Sequence, residues 1–160
     1  GLSARAIASE MLLIADADID KGQRIKTLNR ELGTDKFQLL EVKEIENTLP
    51  KALLLAVARN RFATMQAKTK TGFDIALLNE NTINFNDSIN GIGRILDNAI
   101  RKPRTRIEKV CFAEKSGTIK RKLEFCHEII KLMDEQQWEL TDEAKKLVDT
   151  IFRHIAKNNA

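Results

Sequence analysis

The chain has 160 residues, 42% of them apolar, which suffices for one domain with a hydrophobic core and excludes a disordered tail. Charged residues make up 31%, and no apolar run approaches the roughly 18 residues of a bilayer-crossing helix, so no membrane span is expected. The net charge of +4 divides unevenly: residues 101–122 hold nine Lys or Arg against two acids, +7, which leaves −3 for the rest.

Met11–Ala15 is short, apolar and continuous, and reads as a strand buried on both faces of a parallel sheet, with its carboxyl end at Asp16. Gly22–Leu32 places Ile25, Leu28 and Leu32 on one stripe, and Gly33 stands where a C-cap glycine belongs, so an amphipathic helix follows. Phe37–Val42 reads as a second strand, which completes a strand–helix–strand unit. Beyond Pro50 the pattern turns helical. Lys51–Gln66 is rich in helix formers, and Asp87–Arg101 carries Ile89, Ile92, Ile95, Leu96 and Ile100 before Pro103 closes it. Asn, Thr and Gly crowd residues 68–93, so the connections there read as loops. Ile119–Gln136 spaces Leu123, Cys126, Ile130 and Met133 helically. Thr141 then offers an N-cap, Asp142 and Glu143 suit the helix dipole, and Leu147, Val148, Ile151, Phe152 and Ile155 form an apolar stripe expected to be buried in a helical hairpin. The expected class is α/β, a single domain over 1–160: an acidic strand–helix–strand core in 1–50, and a helix-rich remainder holding the basic segment.

Asp16-Ala-Asp18-Ile-Asp20 is the densest chemical signal. On an extended backbone Asp16 and Asp18 share a face about 6 to 7 Å apart, at the strand end where α/β folds bind ligands. Two such carboxylates repel unless a hard cation lies between them, and Mg2+ or Mn2+, completed by water and phosphate oxygens, fits that need. An EF-hand is excluded by Lys21 and Thr27 at the positions of the obligatory glycine and glutamate. Asp20 followed by Gln23 also suits a capping box. If the two strands are parallel neighbours, Glu44 and Glu46 emerge beside Asp16 and Asp18; alternatively Glu46 or Asn47 caps the helix near Pro50. Lys122 could counter charge on a phosphorane or belong to a solvated basic turn.

Arg101, Lys102, Arg104, Arg106 and Lys120 are the candidate nucleic-acid contacts, the alternative being a solvated loop. His127, His154 and Cys126 read as packing residues, and Trp138 as a hairpin-apex filler or an interface anchor. Cys111 and Cys126 form no Cys-x-x-Cys pair, so a reducing, cytoplasmic setting and no structural zinc are expected. The opening Gly1–Arg5 starts no signal-peptide hydrophobic region. With no glycine-rich phosphate loop or catalytic triad, nucleotide hydrolysis by these residues alone is not expected.

Leu12-Leu-Ile-Ala-Asp16-Ala-Asp18, a helix, and then Leu40-Glu-Val-Lys-Glu44-Ile-Glu46-Asn47-Thr-Leu-Pro50 resemble the Toprim-like C-terminal region of OLD-type ABC/AAA ATPases of bacteria, many of them in anti-phage defence systems. Lys122-Leu-Glu-Phe125-Cys126 is similar to that family's Lys-x-x-Phe-Ala motif, and the resemblance extends to the ending Ile155-Ala-Lys-Asn-Asn. It implies a metal-dependent nuclease or nucleic-acid-binding region, with Asp16 and Asp18 as magnesium ligands, Glu46 as the recurrent acid and Lys122 as the phosphate-facing lysine. It also implies an ATPase head, the site of ATP binding, elsewhere in the parent chain, DNA as the favoured partner, and a homo-oligomer formed through the parent. Toprim domains place a further glutamate on an earlier strand, whereas Glu10 stands at the opposite end of the Met11–Ala15 strand. Little or no cleavage is therefore expected of this chain alone. The alternative is a catalytically inactive module that docks a separate nuclease subunit through its helical hairpin.

Overall fold

In the computed structural model, which describes residues 11–17 and 22–158, two short strands, β1 (Leu13–Ala15) and β2 (Phe37–Leu39), pair in parallel, with Leu13 opposite Phe37 and Ala15 opposite Leu39. Helix α1 (Gln23–Leu32) makes the crossover and ends where the Gly33 amide donates to the Asn29 carbonyl, at a positive φ of 81° that favours glycine. The α/β class is that of a small parallel sheet followed by helices. The strands are shorter than the apolar runs suggest, and β1 is half-buried rather than enclosed on both faces, because α1 packs on β2 and contributes no fully buried side chain.

The main core begins after the sheet. Helix α2 (Lys51–Thr64) buries Leu53, Leu54, Leu55, Val57, Ala58 and Phe62, and burial of three successive leucines makes it the central helix. Pro50 precedes its first turn, where a missing N–H costs no intrahelical bond. After the single turn α3 (Ala67–Lys70), helix α4 (Ile92–Ile100) inserts Ile92, Ile95, Leu96 and Ile100, and α5 (Lys122–Glu135) adds Phe125 and Ile129. Helix α4 is shorter than the expected Asp87–Arg101. The Asp87 carboxylate accepts from the amides of Ile89 and Asn90, which bends the chain until Gly91.

Helix α6 (Asp142–Asn158) starts as expected, the Ala144 amide donating to the Thr141 hydroxyl. Its stripe is not buried as expected: Leu147, Val148 and Ile151 are half-buried, while Phe152 and Ile155 face solvent, so the hairpin of α5 and α6 stays open. Among the described residues no helix is long and apolar enough to cross a membrane.

Candidate functional site

The carboxyl ends of both strands lead to one segment, residues 44–48. The Ala17 amide bonds the Val42 carbonyl, and the Asp16 carboxylate accepts from the Ile45 amide at 3.1 Å, so the two strand ends are tied together. Glu44 precedes the 3-10 turn Ile45–Thr48 and points inward, only 2% exposed. One of its oxygens accepts from the Ile92 amide at 3.0 Å, the first residue of α4. A carboxylate there meets an orphan N–H and the positive end of the helix dipole. Gly91 is part of this fit, since a Cβ at that position would collide with the same Glu44 oxygen.

Lys122 closes the cluster from α5. Its ammonium lies 2.7 Å from Glu46 and 3.4 Å from Glu44. As the first residue of α5 it sits at the helix end that disfavours cations, and the two glutamates offset that placement. The Glu46 oxygen facing it is buried with no hydrogen-bond donor of its own, so the ion pair is its compensation. Burial pushes the Glu44 carboxyl above the ordinary glutamate range, and nearby Glu46 adds to the rise, against the pull of Lys122 and the Ile92 amide. Burial would lower the Lys122 ammonium, but Glu46 and Glu44 outweigh it and raise it above the ordinary lysine value.

Asn47 and Thr48 complete the crossing point. The Asn47 amide donates to the carbonyls of Phe85 and Asn90, and the Thr48 carbonyl accepts the Thr141 hydroxyl at 2.6 Å. Strand β1, the loop 85–90 and helices α4, α5 and α6 thus all anchor on five consecutive residues, 44–48.

Of the residues singled out from the sequence, Glu44, Glu46 and Lys122 come together, and Asp16 is tied to the same segment through the Ile45 backbone amide. Asp18 and Asp20 lie outside the described residues. The expected four-carboxylate cluster is not formed by the rest: Glu44 and Glu46 turn onto Lys122, and among the described residues no three His, Cys, Asp or Glu gather closely enough to hold a metal ion.

The basic segment divides in two. Lys102, Arg104 and Arg106 are exposed, Lys102 lying 3.7 Å from Asp74. Arg101 turns inward: its guanidinium donates to the carbonyls of Arg106 and Lys109 and covers the Phe73 ring. Lys120 likewise donates to the Cys111 carbonyl at 3.1 Å. These two side chains staple the loop rather than face a ligand, because folding the 102–110 excursion leaves carbonyls that need donors.

Two further polar anchors escaped sequence reading. Asp97, fully buried in α4, accepts from the backbone amides of Cys111, Phe112 and Ala113 at 2.7 to 3.2 Å. Burial raises its carboxyl above the ordinary aspartate value, and the three amides pull against that rise. Arg61 reaches from α2 to Glu128 and to the carbonyls of Lys120 and Arg121, and lies over the Phe125 ring. Asn47, read from the sequence as a possible cap for the helix near Pro50, does not cap α2 but ties down the loop 85–90, and its side-chain oxygen has no donor among the described residues.

Neither thiol is activated. Burial pushes Cys111 up to about 11 and also raises Cys126, which is half-buried rather than core. His127 is exposed, not packed, and His154 is half-buried. Comparison with protein-family models, with curated proteins and with solved structures found no match.

Proposed function

We propose that the chain is the Toprim-like region of a bacterial OLD-type ATP-binding protein and that it handles nucleic acid, DNA in preference, in phage defence or DNA repair. The supporting observation is the meeting of Glu44, Glu46 and Lys122, from motifs separated by most of the chain, on a segment that Asp16 holds by the Ile45 amide beyond the carboxyl ends of two parallel strands. That edge is where open α/β sheets hold their ligands. The exposed cations Lys102, Arg104 and Arg106 give a phosphate backbone its electrostatic contacts.

Magnesium or manganese belongs to this reading as a cofactor, and the described residues do not fit it. Both Glu44 oxygens are engaged, one by the α4 amide and one by Lys122, and Glu46 faces the same ammonium. A lysine already occupies the position of charge compensation. The proposed role is therefore binding of a phosphodiester strand, with no cleavage step assigned to these residues.

Fluorescence anisotropy with a short labelled duplex, titrated across salt concentrations, tests the role. Lys102→Ala, Arg104→Ala and Arg106→Ala together should flatten the slope of log affinity against log salt by roughly 2 to 3, at about 0.9 per lost phosphate contact. An unchanged slope, or no binding at low salt, overturns it. Arg101 is left intact because its loss would loosen the loop itself.

A further inference from the structure

The open hairpin leaves a cleft of about 380 Å3 between α5, α6 and residues 45–50. Leu49, Ile129 and Leu147 line it, and Ile45, Ile130 and Trp138 stand at its rim, Ile130 being 54% exposed. Further along α6, Phe152 and Ile155 stay in solvent. Apolar surface gathered in this way marks an interaction site rather than a scatter of single exposed residues.

Two features select the occupant. The walls are helical, α5 contributing residues 126–133 and α6 residues 144–151, and a trough between two helices accepts the apolar face of a third. The charge around its end is negative. Residues 134–143, which join the arms, hold Asp134, Glu135, Glu139, Asp142 and Glu143 and no Lys or Arg. Asp134 and Glu139 pair with no cation among the described residues, and Glu139 lines a second recess on which Trp138 also opens. A nucleic-acid backbone is repelled by such a rim, and a neutral hydrophobe leaves its acids unused.

We propose that this cleft docks a basic amphipathic helix of a partner protein, its apolar stripe against Ile129, Ile130 and Leu147 and its cations over Asp134 and Glu139. A second copy of this chain, whose helix α6 carries exposed Phe152 and Ile155 beside Arg153 and Lys157, is the alternative occupant, and sedimentation separates it from a partner helix. The docking surface is separate from the exposed cations proposed to meet nucleic acid, so either assignment stands or falls alone.

Trp138 is the one tryptophan in the chain, so its emission reports occupancy directly. The probe is a synthetic peptide with leucines at helical spacing and lysines elsewhere. Its controls are the same composition shuffled to destroy the spacing, and a version with glutamate for lysine. The lysine peptide should bind saturably and shift Trp138 emission to the blue, while each control binds at least about tenfold more weakly, the equivalent of about 1.4 kcal/mol. Ile130→Glu should weaken the lysine peptide by a similar factor, and Asp134→Lys with Glu139→Lys should reverse the preference between lysine and glutamate peptides; circular dichroism verifies that each variant is folded. Equal binding of the shuffled peptide, or no effect of both sets of substitutions in folded protein, overturns the proposal. So does sedimentation showing concentration-dependent self-association that shields Trp138, which would give the cleft to a second copy.

Discussion

Glu44 is a carboxylate nearly sealed from water, and its two partners differ in kind: the Ile92 amide is fixed by the backbone, while Lys122 is a side chain that can be removed. Removing one partner of a buried pair costs about 3–5 kcal/mol when the other charge is stranded. Lys122 is 41% exposed, so solvent screens part of the pair, and Lys122→Met is expected to cost about 1–3 kcal/mol near neutral pH. The sign of the pH dependence follows from the direction of the Glu44 shift. A carboxyl raised by burial destabilises the fold when ionised, so its contribution is favourable below the ordinary value of 4.5 and is lost as pH rises through the folded value. Lys122 limits that loss, and its own raised value keeps the pair intact past 10.5 until pH passes the folded value. Urea unfolding should therefore show a Lys122→Met deficit that grows from about pH 4 to about pH 7, and Glu44→Gln added to it should remove most of that growth. A deficit that does not change with pH would refute the pairing. The sequence marked Glu44, Glu46 and Lys122 because charged residues in short motifs are conspicuous. Asp97 was invisible, since a single acid on an apolar helix gives no hint of the three amides that a distant loop brings to it.

At the scale of elements, α4 is held at its N-terminus from both sides, by Glu44 and by the turn that brings Ala113 beside Ile119. Gly93 is where the second contact is closest: a Cβ there would collide with the Thr118 carbonyl and come within 2.7 Å of the Ala113 Cα, both backbone atoms. Gly93→Ala should thus destabilise by about 1–3 kcal/mol through overpacking, although alanine in a helix interior is ordinarily better than glycine by about 1 kcal/mol. Asn98→Ala, on the exposed side of the same helix, supplies the control and should be neutral or slightly stabilising. A stabilised Gly93→Ala variant in denaturant melts would show that the approach is not tight. Helices α1, α5 and α6 were legible because their apolar spacing is helical over several turns. The start of α4 was not, because Ile89 continues the apolar spacing while Asp87 turns the chain before it. The depth of β1 was misjudged for a different reason: a continuous apolar run reports hydrophobicity but not whether a second layer covers the strand.

Across the whole molecule the apolar cluster runs from Leu53 to Ile129 and includes no residue of β1, α1 or β2. The strand–helix–strand unit buries Ala17, Phe37, Leu40 and Val42 outside that cluster, and its links to the rest include Asp16 to the Ile45 amide, Lys157 to Asp35 at 2.7 Å, and Lys146 to Glu41 at 3.7 Å. Solvent screens exposed ion pairs of this kind, so each contributes far less than burial of a leucine in the main core. The unit, whose buried residues stand apart from the main cluster, should therefore open without unfolding the helices around α2. Hydrogen exchange followed by mass spectrometry should show β1 and α1 exchanging through a sub-global opening, while the amides of α2 and α4 exchange only with global unfolding. Asp16→Ala, which removes the acceptor of the Ile45 amide, should speed exchange in β1 and leave α2 unchanged. Protection of α1 equal to that of α2 would mean that the sheet and the helical core unfold as one cooperative unit. In that case the edge bearing Asp16 would be as rigid as the core, and a strand bound there would meet a fixed surface instead of one that can open to admit it.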